Sequence, residues 1–133
     1  MTTIRSSVLL RRVLLLDAFS CAALGVLLAL GAAVLAQVLA LPVDLLRSSG
    51  WLLLPIAVGL GVLSGREQLP RALVWAVIAL NSLWVVQSCA LLLTDWVAPN
   101  AGGYAFVLGQ AALTALLAEL EYRGLRSSNP IAA

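Results

Sequence analysis

The 133-residue sequence contains no histidine and no lysine. Without histidine, and with only Cys21 and Cys89 as thiols, it lacks any ligand set at the spacings of a zinc or other metal site. Charge is scarce as well, at 11% of residues against roughly 25% in a soluble domain. No polar segment is long enough to fold separately, so one domain is expected over residues 1–126, followed by a short tail at 127–133. The glycine-containing piece Gly59-Leu60-Gly61 falls within an apolar run and lacks the strand-loop-helix setting of a phosphate cradle. Serines, threonines and acids are present, yet no nucleophile stands beside a base in any recognisable pattern. An enzyme is not expected, nor a cofactor, nor a resident metal.

What the chain has in abundance is apolar surface, 62% of residues with a mean hydropathy of +1.05. A soluble core of this size cannot hide so much, whereas lipid solvates it directly. The expected class is all-α: an integral membrane four-helix bundle whose partner is, first of all, membrane lipid. Four apolar runs mark the spans at about 13–37, 49–64, 72–94 and 104–120. Leu41-Pro42-Val43-Asp44 ends the first, because proline disfavours helical geometry in the residue before it. The second is short: about 15 residues rise only ~22 Å against a hydrocarbon core of ~30 Å. In that span Pro55 is expected about a turn inside, where a missing N–H matters little. Short connections predict that successive helices pack antiparallel.

Orientation follows from the eight arginines. Arg5, Arg11, Arg12, Arg66, Arg71, Arg123 and Arg126 fall on one side of the four-span arrangement, and only Arg47 on the other. Basic residues are retained on the cytoplasmic side, so both termini are expected there, in a bacterial inner membrane. The net charge of +2 thus reads as orientation, and no basic stripe suggests a nucleic-acid partner. A secretory signal is the rival for the first span, with Val34-Leu35-Ala36 as its cleavage site. The run is too long for it, since a signal's apolar core usually has about 7–15 residues.

Small residues recur at helical spacing. Ala18, Ala22, Gly25, Ala29 and Ala32 share one stripe of the first span, Ala57, Gly61 and Gly65 form a row on the second, and Ala105, Gly109 and Ala112 one on the fourth. Such rows let helix backbones approach closely, which is how helices associate in a bilayer. They are expected to dock helices within the bundle, in a homo-oligomer or in a larger membrane complex. The leading functional expectation is a non-enzymatic accessory subunit or scaffold.

Polar residues inside the spans carry the alternative, a small transporter or ligand-binding protein. Asp17 lies about a turn inside the first span and Glu119 about a turn before the end of the fourth, at similar depth, so the two carboxylates can be neighbours, either in an interfacial ion-pair network that fixes helix register or as a protonatable pair. Asn81, about ten residues beyond Arg71, falls near the midplane and needs a partner for its amide. Trp84 and Ser88 share its face, and Gln110 with Thr114 offers an acceptor and donor on the fourth span. Asp17, Asn81, Gln110 and Glu119 are therefore the candidate ligand- or proton-binding residues.

Overall fold

The computed structural model describes residues 2–131. In chain order the elements are β1 (Thr3–Arg5), α1 (Val8–Leu39), α2 (Val43–Ser64), β2 (Gln68–Pro70), α3 (Arg71–Leu92), α4 (Ala101–Arg126) and β3 (Asn129–Ile131). Each of the four helices is long and apolar enough to cross a membrane.

The helices outrun the apolar segments because hydropathy marks what lipid covers, whereas a helix continues through polar turns. α1 begins at Val8, five residues before the expected start, since Ser7 caps it: the Ser7 hydroxyl accepts from the Leu10 N–H at 3.1 Å. α2 begins at Val43, placing Asp44 in its first turn, where an acid favours the positive end of the helix dipole. With 22 residues it rises about 33 Å, enough for the hydrocarbon core, so its expected shortness is corrected. Pro55 consequently lies in the helix interior, not about a turn from the start. α3 stops at Leu92, two residues early. α4 begins at Ala101 under an Asn100 cap (Oδ1 accepting from Gly103 N–H at 2.8 Å) and runs through Glu121-Tyr122-Arg123-Gly124, where an end was expected. Gly124 serves instead as a packing point, because a Cβ there would sit 2.8 Å from Leu10 Cα.

Three short strands form an antiparallel sheet in the order β2-β1-β3, with Ile4 opposite Leu69 and Pro130. Nothing in the sequence predicted it. The sheet draws together the segment before α1, the α2–α3 connection and the segment after α4. Ser7 strengthens the closure, its N–H donating to Ser128 Oγ and its hydroxyl to Gly124 O, each at 3.0 Å. Elsewhere Asn100 Nδ2 donates to Val38 O at 2.7 Å, tying the α3–α4 connection to the end of α1. There Ala40 turns the chain in the left-handed region, at φ 55°, with its N–H bonded to Ala36 O.

α1 packs most extensively on α2, α3 packs on α4, and an α1–α4 contact joins the two pairs. The α1–α2 crossing is glycine on glycine: a Cβ on Gly25 would meet Gly50 O at 3.1 Å, and one on Gly50 would strike the backbone of Leu28 and Ala29. Ala18, Gly25, Ala29 and Ala32 are buried, with Ala22 half-buried. On α2 Ala57 is buried, while Gly61 faces open space and Gly65 is an exposed C-cap. Ala105, Gly109 and Ala112 are exposed, and α4 presents Gly103, Val107 and Ala111 inward. Two apolar clusters result, one around Leu10, Leu14, Leu60, Leu69, Val74 and Ile78 beneath the sheet, the other around Leu28, Ala32, Leu46, Leu53 and Val107.

Candidate functional site

Between these two clusters in the helix register lie three polar side chains, each from a different helix. Asp17 follows Leu14 on α1, Asn81 follows Ile78 on α3, and Glu121 precedes Leu125 on α4, so each continues the apolar face of its own helix by one turn. All three are buried, Asp17 at 2% exposed and Glu121 at 0%. A single amide joins them: Asn81 Nδ2 donates to Asp17 Oδ2 at 2.7 Å and to Glu121 Oε1 at 2.5 Å. Both amide hydrogens are thereby used. Asp17 Oδ1 also accepts from the Cys21 thiol one turn along α1, at 3.6 Å.

Two features of this cluster set it apart from an ordinary structural network. Among the described residues no arginine lies in salt-bridge range of Asp17 or Glu121. Glu121 Oε2 is buried without a hydrogen-bond partner. A buried acceptor without a donor is costly, and so is a buried acid without a counter-charge.

Glu119, the expected neighbour of Asp17, points away. It is exposed and pairs with Arg123 one turn on, at 3.0 Å. Residues 119 and 121 differ by about 200° around an α-helix, so they occupy opposite faces. Glu121 is the acid that reaches Asp17, and sequence reasoning missed it. A signal was available: seven residues, two turns, separate Glu121 from Thr114 on the polar face of α4.

Gln110 belongs to a second polar set. Trp84 Nε1 donates to Gln110 Oε1 at 2.7 Å, and Gln110 Nε2 donates to Ser88 Oγ at 3.0 Å and to Val107 O at 2.9 Å. This set joins α3 to α4 as expected for Trp84, Ser88 and Gln110, but Asn81 is not part of it, being held by the acids.

Near the sheet, Ile56 and Leu60 of α2 share a cluster with Val74 and Ile78 of α3. A cavity of about 450 Å³ is lined by residues of all four helices. Asp17, Cys21 and Asn81 lie on its polar side, Leu24, Leu53 and Ile56 among its apolar walls. Leu52 and Leu83, both more than half exposed, lie at its mouth. A second cavity of about 350 Å³ continues it, sharing Ser49, Trp84, Gln87 and Gln110. Glu121 lines neither; it stands behind Asp17 and Asn81. No protein-family model matches the chain, and neither does any curated protein or solved structure.

Proposed function

We propose that this chain is a non-enzymatic protein of the bacterial inner membrane that takes an amphipathic ligand from the bilayer into the cleft lined by all four helices. In this reading all four helices span, successive helices run antiparallel, and both termini are cytoplasmic. The sheet supports that topology, because it unites the two terminal segments with the α2–α3 connection. The arginine distribution agrees with it, seven lying towards the sheet end and Arg47 alone towards the other.

The observation that carries the binding role is the position of Asp17: a buried acid with no arginine in salt-bridge range among the described residues borders a largely apolar cavity. A network needed only to fix helix register has no use for such a cavity. The cavity walls suit an alkyl chain, and the cavities' volumes lie in the range of small-molecule sites.

Filling the cleft tests the reading. Ser49 borders both cavities, so Ser49→Phe occupies the passage between them. In nanodiscs, 10-bromodecanol is expected to quench the fluorescence of Trp84 saturably, isolated by difference against Trp84→Phe, and Ser49→Phe should abolish the saturable part. Quenching that rises without saturation, equal in both proteins, refutes a ligand cleft.

A second reading, self-association or membership of a larger complex, is favoured by the exposed Ala105, Gly109 and Ala112, with open space around Gly109. Another helix can approach this face closely. Native mass spectrometry of Gly109→Leu is the check: dissociation of a complex held by the unsubstituted protein supports assembly, and an unchanged mass spectrum removes it.

A further inference from the structure

The acid in the cleft specifies the head group of the ligand. We propose that Asp17 binds the ammonium head of a single-chain lipophilic amine, with Glu121, behind it, as a positioning residue. This rests on the cleft reading and adds the chemical class of the ligand.

The assignment begins from the hydrogen-bond inventory. Asn81 has spent both amide hydrogens, one on each acid, so it has none left for Glu121 Oε2. Asp17, which borders the cavity where Glu121 does not, is the acid available to a ligand. Every charged or titratable group facing it can be named. α1 contributes Cys21, whose thiol donates to Asp17, and α4 contributes Glu121. From α3 comes the neutral Asn81, and α2 lines the cavity with Ser48, Ser49 and apolar residues only. With no cation among them, the positive charge must come from a proton or from a ligand.

An alkylammonium seated against Asp17 places a counter-charge beside a buried acid, in a site where an unpaired charge is costly. An anionic head group meets acids and no base. A neutral alcohol finds the walls but gains nothing from the acids. The indole of Trp84, one turn beyond Asn81 on the cavity wall, adds an aromatic surface that attracts a cation. The alkyl chain lies along Leu24, Leu53 and Leu45 towards the second cavity.

The test compares 10-bromodecylammonium with 10-bromodecanol in protein-loaded nanodiscs, using saturable quenching of Trp84 for affinity. The ammonium is expected to bind at least about tenfold more tightly than the alcohol. Asp17→Asn should erase that preference while leaving alcohol binding intact, which also shows that the variant is folded. Glu121→Gln should preserve the preference, because its amide oxygen still accepts from Asn81 and Asp17 still borders the cavity.

The outcomes separate. Saturable binding of both probes with equal affinity refutes the amine head group and leaves the cleft standing. Failure of both probes refutes the cleft itself. Loss of the preference in Glu121→Gln with retention in Asp17→Asn overturns the assignment of the binding acid.

Discussion

Asn81→Leu is expected to cost about 2–4 kcal/mol of bundle stability, more than a typical interhelical hydrogen bond in a membrane, where about 0.6 kcal/mol is the mean and about 1.7 the upper end. Leucine is close to asparagine in size, so steric change contributes little. What it removes is, among the described residues, the only hydrogen-bond donor shared by Asp17 and Glu121, on a helix that otherwise holds α4 through Trp84 and Ser88. Two buried acids then face an apolar side chain, and each must either lose its partner or draw water into the core. Unfolding in mixed micelles with increasing dodecyl sulfate measures the loss. Glu121→Gln supplies the opposite arm, with stability held or raised because both hydrogen bonds survive and a buried acid disappears. A change within about 0.5 kcal/mol for Asn81→Leu would mean that the amide does not join the three helices.

Gly50→Val is expected to separate α1 from α2. The new Cβ would lie 2.8 Å from Gly25 O and 2.9 Å from the Leu28 carbonyl carbon, and backbone atoms inside a helix cannot step aside as side chains do. Overpacking in a core usually costs about 1–3 kcal/mol, and a clash with backbone belongs at or above the top of that range. Gly59→Val controls for the change in helix propensity, because nothing lies within 4 Å of its Cβ position. It should stay within about 0.5 kcal/mol once that propensity is allowed for. The same unfolding assay reads both variants, and near-equal stability would show that the helices do not cross at Gly50.

Gly50 also shows where the sequence was legible and where it was not. The first-span stripe through Gly25 and Ala29 could be read from its spacing, because its small residues recur over about four turns. Its partner could not, because Gly50 falls at the very start of the expected second span, just after Arg47, Ser48 and Ser49, where hydropathy places the loop. Where α2 begins was lost for the same reason. The fourth-span row has equally good spacing and faces outward, since periodicity gives the faces of a helix without saying which one is inside. Asp17 and Asn81 stood out as polar residues in apolar runs. Glu121 did not, because two acids stand two residues apart and depth alone does not choose between them. The (i, i+4) pair of Glu119 with Arg123 was the local clue that Glu119 has a partner at the surface. The strands had no signature at all: Thr3–Arg5, Gln68–Pro70 and Asn129–Ile131 are too short for alternation, and two of the three contain proline.

That sheet bears on how the protein is made. Its central strand, β1, precedes every helix in the chain, β2 follows two of them, and β3 follows all four. In the proposed topology β1 would wait during synthesis, pairing on one side once the first two helices had entered the bilayer and on the other only once the last had returned the chain to the cytoplasm. In the proposed topology a fourth helix that fails to insert in the right sense leaves β3 out of reach and one edge of β1 bare. The sheet then works as a receipt for complete insertion, and an unpaired β1 would expose a misassembled copy to cytoplasmic quality control.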